Sequence, residues 1–138
     1  MTAGNAPTSQ PTAPAVPDLE VIVPALNEQG RIESTLGALA DHLSTLDLES
    51  KVRVIDNGST DRTPDIVDRV NSAHEVDITV EGCSRPGKGS AVARGMLTSQ
   101  SRWVGFCDAD LATPADAIGE AVDCLEEGWP VVIGSRHV

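Results

Sequence analysis

Tyrosine is absent from this 138-residue chain, phenylalanine occurs once and tryptophan twice. A core built on aromatic rings is excluded, yet hydrophobic residues still make up 40% of the sequence, an ordinary globular share. The core must therefore be packed from Val, Leu, Ile and Ala. Basic residues are scarce as well, and the formal charge is -11. Without a basic surface to neutralise phosphates, a nucleic-acid partner is not expected. The same charge disfavours adhesion to anionic lipid through a polybasic patch. A small anion can still bind where a cation or a set of backbone N–H groups offsets the field.

The cysteines are Cys83, Cys107 and Cys124, an odd number without C-x-x-C spacing. They read as small buried side chains in a reducing, cytoplasmic compartment, with neither a disulfide framework nor a zinc site. No apolar run approaches the ~20 residues that span a bilayer. Residues 1–18 hold Pro7, Pro11, Pro14 and Pro17 among Ala, Thr and Ser, with no basic start and no apolar segment. They are read as a disordered tail and not as a signal peptide. The remaining stretch, 19–138, is the length of one domain.

From Leu19 onward, short β-branched runs alternate with longer amphipathic ones. Strands are expected at Leu19–Pro24, Lys51–Asp56, Val76–Glu81, Arg102–Cys107 and Pro130–Gly134, each brief and apolar as in strands covered on both faces. Ile32, Leu36, Leu39, Leu43 and Leu46 recur at helical spacing. A second helix opens at Thr63-Pro64, with Thr as cap and Pro first, and a third spans Ala91 to Leu97. A fourth opens the same way at Thr113-Pro114 and closes at Gly128. This alternation predicts an α/β fold, a mostly parallel sheet with helices on both faces. Ligands of such sheets bind at the carboxyl ends of the strands.

Three acid-bearing segments fall at those ends. Asp108 and Asp110 come after the fourth strand, and extended backbone turns both carboxylates to one side. Two acids so close need a shared proton or cation, and hard oxygen ligands suit Mg2+ or Mn2+ completed by phosphate oxygens and water. The plainer reading, a helix cap near Pro114, is already met by Thr113. Asp56 ends the second strand, where an acid accepts hydrogen bonds from a ribose or base. Asn57, Gly58, Ser59 and Thr60 read as an ordinary Asx turn. The loop Arg85-Pro86-Gly87-Lys88-Gly89-Ser90 precedes a helix and so can receive phosphate. It satisfies neither the Walker pattern nor the dinucleotide fingerprint, whose third Gly is replaced by Val92. Lys88 is either a solvated lysine or, at the positive end of a helix, the mark of a nearby anion. His42, His74 and His137 have no G-x-S-x-G partner; His42 and His74 read as surface residues, and His137, next to the last residue, is left open.

Taken together, Val21-Ile22-Val23-Pro24-Ala25-Leu26-Asn27-Glu28, Ile55-Asp56-Asn57-Gly58-Ser59-Thr60-Asp61, Gly87-Lys88-Gly89 and Asp108-Ala109-Asp110 resemble family 2 glycosyltransferases. The Asp-Ala-Asp-Leu-Ala-Thr-Pro run is most similar to dolichyl- or polyprenyl-phosphate sugar synthases, in particular the glucosyl branch. The resemblance covers Leu19 to Arg136. It implies a GT-A fold that binds a nucleotide-diphosphate sugar, UDP-glucose or GDP-mannose, and transfers the hexose to a polyprenyl phosphate. Pro24, Ala25, Asn27 and Glu28 would line the nucleotide pocket, with Glu28 near the ribose or base. Asp56 would meet the base, Lys88 the base or diphosphate, and Asp108 the ribose. Asp110 would ligate the Mg2+ or Mn2+ that bridges the diphosphate.

Two departures accompany the resemblance. The family's usual Asp-Asp-Gly-Ser is Asp56-Asn57-Gly58-Ser59 here, and the sequence ends where the family is mid-domain. The family's later segments supply an antiparallel strand, the acceptor site and the catalytic base, so the domain reads as truncated and no residue is nominated as the base. A donor-binding module that is inactive alone is the alternative. It would act at the cytoplasmic face of the membrane through a membrane-protein partner or the missing C-terminal half.

Overall fold

A computed structural model describes residues 16–111 and 114–132. Four strands and four helices alternate along the described chain: β1 (Leu19–Ala25), α1 (Ile32–Leu43), β2 (Ser50–Asp56), α2 (Thr63–Ala73), β3 (Asp77–Gly82), α3 (Lys88–Thr98), β4 (Trp103–Phe106) and α4 (Ala117–Glu126). The strands form one sheet in the order β3-β2-β1-β4, every pair parallel. The chain lays β2 and then β3 outward from β1, and afterwards returns to set β4 on the other side of β1. The order thus reverses between β1 and β4, which is where α/β sheets open a crevice for ligands.

β1 is the centre of this arrangement and shows why its sequence reads as a continuous apolar run. Leu19, Val21, Val23 and Ala25 face α1, α2 and α4, packing with Leu36, Leu39, Leu43, Val67 and Val122. Ile22 faces the opposite side with Ile55 of β2 and Ala91 of α3. Both faces are covered, so no position on the strand is left to be polar for solvent's sake. Glu20 is the exception at 2% exposure. Its carboxylate is met by Arg53, with Nε 2.9 Å away, and more distantly by Lys51. No helix among the described residues is long and apolar enough to cross a membrane.

The expected elements are present with shifted ends. β1, β2 and β3 differ from expectation by a residue, and β4 stops at Phe106, before Cys107. α1 ends at Leu43, and Leu46 packs on the core from beyond the helix. α3 begins three residues earlier than its apolar pattern, at Lys88, because Gly87 takes a φ of 105 and turns the chain directly into the helix. At α2, the cap position falls to Arg62, and the Thr63 hydroxyl serves other partners. α4 starts at Ala117 and not at the Thr-Pro pair. Thr113 lies outside the described residues, and the N–H groups of Ala117 and Ile118 bond three residues back, to Pro114 and Ala115, forming a turn before the helix. Its end agrees with expectation. Gly128, at φ 107, donates to Leu125 and Trp129 donates to Cys124, the paired bonds of a Schellman cap.

The strand expected at Pro130–Gly134 is not seen in its described part, 130–132, and the rest lies outside the described residues. Residues 1–15 of the expected tail lie outside them too. Pro17 and Asp18, also assigned to the tail, are instead tied to the sheet. Asp18 bonds Glu49 and Trp103 through its backbone, and Pro17 accepts from Arg102. His42 is half-buried against Gly119 of α4 and His74 is half-buried, so neither is the surface residue expected. His137 lies outside the described residues.

Candidate active site

A cleft of about 330 Å3 opens at the reversal of strand order. β1 and the loop after it supply Pro24, Ala25, Leu26 and Glu28, and the end of β2 supplies Asn57. Gly87, Lys88 and Ala91 come from the start of α3, and Asp108, Ala109 and Asp110 from the end of β4. Six of the eight residues singled out in the sequence therefore share one cavity. Asn27 and Asp56 are not among the residues that line it.

The loops that hold this wall are knotted by side chains whose partners are distant in sequence. Asn27 adopts φ 53, a left-handed conformation that Asn tolerates better than most residues. Its N–H donates to Ser59 Oγ at 2.8 Å and its Oδ1 accepts from the Thr60 N–H at 2.8 Å. The Glu28 N–H donates to Thr63 Oγ1 at 2.9 Å, and the Gln29 N–H to Asp61 Oδ2 at 3.2 Å. Desolvation pulls the Asp61 pKa upward and is the largest single influence. The hydrogen bonds from Thr63 and Gln29 together outweigh it and hold the carboxyl below its usual range. Glu28 turns its carboxylate to Arg31, 2.8 Å away.

Asp56 is nearly buried. Its Oδ2 accepts from the Ser59 N–H at 3.1 Å, whereas Oδ1 is buried without a hydrogen bond. A buried acceptor left unmatched is costly, and among the described residues none supplies the donor. Asn57, read from sequence as a turn residue, does more than turn the chain. Its Oδ1 accepts from the Gly87 N–H and its Nδ2 donates to the Arg85 carbonyl, both at 2.8 Å. One side chain thereby fixes the loop that presents Lys88. An Asp at this place could accept the first bond but could not make the second.

Across the cleft, the Lys88 ammonium contacts Asp108 Oδ1, in an ion pair whose side chains are both part-exposed. Asp110 is exposed. The segment between the acids is anchored from below, where Ala109 O accepts from the Thr35 hydroxyl at 2.5 Å. Leu111 comes next at φ 51, its N–H bonded to Asp108 O. Burial, and then the charge of Asp108, pushes the neighbouring Cys107 thiol up to about 12, which makes it a neutral packing group and no nucleophile. Among the described residues no cluster of three or more His, Cys, Asp or Glu could hold an ion. The donor set fits a hard divalent cation only as a partial one, two carboxylates with the remaining positions left to a ligand's oxygens and water.

Residues 20–138 match the family described as "Glycosyl transferase family 2". The chain belongs to that family. Its fold is the N-terminal portion of the GT-A glycosyltransferase fold. A dolichol-phosphate mannosyltransferase of Pyrococcus furiosus is 29% identical over 87% of this chain and 33% of its own length. Among solved structures, the mannosyltransferase PcManGT of Pyrobaculum calidifontis, in complex with GDP-Man and Mn2+, superposes with a TM-score of 0.67. It is 30% identical, over 91% of this chain and 38% of that one. Glucosyl-3-phosphoglycerate synthase of Mycobacterium tuberculosis, with Mn2+, UDP-glucose and phosphoglyceric acid, gives a TM-score of 0.62 at 26% identity, over 81% and 40% of the two chains. The chain thus spans about a third of the length of the first curated relatives it matches, 33% and 38%.

Within this family 2 domain, sequence reasoning missed Asn57, Thr35 and the contribution of Gly87. The signals were weak because each acts on a partner 28 or more residues away. The departure from the family's Asp-Asp pair at Asn57 was the single visible pointer.

Proposed function

We propose that this chain is the donor-binding part of a glycosyltransferase that moves a hexose from a nucleotide-diphosphate sugar to a polyprenyl phosphate. The observation that carries the reading is the meeting of Asp108, Asp110 and Lys88 in one cleft where the strand order reverses. An acidic chain has little reason to gather these groups unless a cation and a phosphate are to be held between them. Asp56 Oδ1 accepts a donor of the base, and Pro24 and Ala25 form the floor beneath it. Asn27 sets the wall that carries Glu28 toward the ribose. Asp108 takes the ribose side, Lys88 the diphosphate, and Asp110 is the carboxylate that would hold Mg2+ or Mn2+. When bound, that cation supplies Lewis acidity that offsets charge on the departing diphosphate.

Binding of GDP-Man and UDP-glucose by the two structural neighbours supports the donor class, and Mn2+ in both supports a divalent ion. The dolichol-phosphate relative supports a lipid-phosphate acceptor, while the phosphoglyceric acid of the synthase offers the other choice, a small phosphorylated acid. With a lipid acceptor the reaction would run at the cytoplasmic membrane face, the acceptor site being supplied by a further segment or a membrane partner. Calorimetry of UDP and GDP should show binding with Mn2+ or Mg2+ and little with a chelator. Asp110→Ala should abolish the metal effect. Equal affinity with and without metal would overturn the reading.

A further inference from the structure

We propose that Lys88 is an internal counter-ion that occupies Asp108 until a diphosphate arrives, so that a divalent cation enters this site together with the nucleotide and not before it. The proposal rests on the donor-site reading above and adds to it an order of events. Three features of the cleft carry it. First, the Lys88 ammonium sits directly on Asp108 Oδ1, in a pair whose side chains are 59% and 41% exposed. While Lys88 is there, it cancels the negative charge that Asp108 would add to Asp110 in attracting a metal.

Second, Lys88 stands at a place that disfavours a cation until an anion binds. It is the first residue of α3, where the helix's own positive end disfavours a cation. Asn57 pins the preceding loop at Arg85 and Gly87, so the helix start cannot withdraw from the cleft. Third, the side chain is 59% exposed, which leaves it free to swing once another anion is offered. A diphosphate is such an anion. It gives Lys88 and the helix N-terminus a partner, frees Asp108, and brings oxygens that complete a metal's shell. Nucleotide and metal then favour each other's binding, and the coupling must be reciprocal.

The two ligands should respond to loss of the lysine with opposite signs. Free Mn2+ is measured by its electron paramagnetic resonance signal, without nucleotide, and UDP and GDP by calorimetry in chelator and in Mn2+. Lys88→Met should bind free Mn2+ about 5-fold more tightly than the parent, the scale of losing one part-exposed ion pair. The same variant should bind the diphosphate about 10-fold more weakly, through loss of a charged hydrogen bond. Lys88→Arg should keep the weak free-Mn2+ binding of the parent. Unchanged or weaker Mn2+ binding by Lys88→Met overturns the proposal, whatever happens to the nucleotide. If instead Mn2+ binding tightens while neither UDP nor GDP binds the parent under any condition, the counter-ion stands and the donor-site reading falls.

Discussion

Two aspartates in one turn, Asp56 and Asp61, illustrate how differently the same side chain can be used. Asp61 is satisfied on both oxygens, by Thr63 and by the Gln29 N–H, and it ties the start of α2 to the loop after β1. Asp56 is satisfied on one oxygen and keeps the other buried and unmatched. The first is a structural knot and the second is an acceptor in waiting. Asp56→Ala should therefore cost about 1–3 kcal/mol of nucleotide affinity, the range for a donor left without its acceptor. Asp61→Ala should lower the urea midpoint and leave nucleotide affinity nearly intact. Titration calorimetry on both variants separates them, and the reverse pattern would exchange their roles. Sequence singled out Asp56 by its place at a strand end. It gave Asp61 no role of its own: the bond to Thr63 is local, but Gln29, 32 residues away, becomes a partner only when two loops meet.

The strands were legible because burial on both faces writes an uninterrupted β-branched run, as in β1 and β2. Helix starts were less so. Thr63-Pro64 and Thr113-Pro114 carry the same signal, yet only the first lies at a helix start, since the turn around Pro114 takes up the residues before Ala117. The ion network beneath α3 was invisible along the chain. Arg53 of β2 reaches Glu81 of β3 at 3.0 Å, Thr98 Oγ1 at 2.8 Å and Gly95 O at 2.7 Å, while Arg94 of α3 meets Glu81 at 2.7 Å. Here α3 lies so close to the sheet that a methyl on Gly95 would come within 2.5 Å of Ile22 Cγ2. Burial raises the Glu81 pKa and is the largest influence, but Arg94 and Arg53 more than reverse it and hold the carboxyl below its ordinary value of 4.5. A depressed folded-state value stabilises the fold above the unfolded value, and that contribution is lost as pH falls through the folded one. The urea midpoint should therefore fall on acidification below about pH 4.5, and Glu81→Gln should be less stable near neutrality with a shallower acid loss. An identical acid slope in the variant would remove Glu81 from the account.

At the scale of the whole molecule, the site works against its own surroundings. The chain carries a formal charge of -11, while its proposed ligand is a diphosphate, so the long-range field repels what the cleft is arranged to hold. Attraction is local, confined to Lys88, the start of α3 and whatever cation Asp108 and Asp110 share. The two ranges respond differently to salt, because the screening length falls from ~30 Å at ~10 mM to ~8 Å at ~150 mM ionic strength. Repulsion summed over the molecule is removed first, whereas contacts of a few ångströms persist. The association rate of metal-free UDP or GDP should consequently rise with added salt, opposite to a binding site steered by attraction. With Mn2+ present the incoming complex carries less negative charge, and the rise should flatten. Stopped-flow association across that salt range, with chelator and with Mn2+, reads both slopes. A metal-free rate that falls with salt would mean that the field at the cleft mouth is already positive, and that Lys88 and the helix end reach farther into solvent than the excess of acids around them.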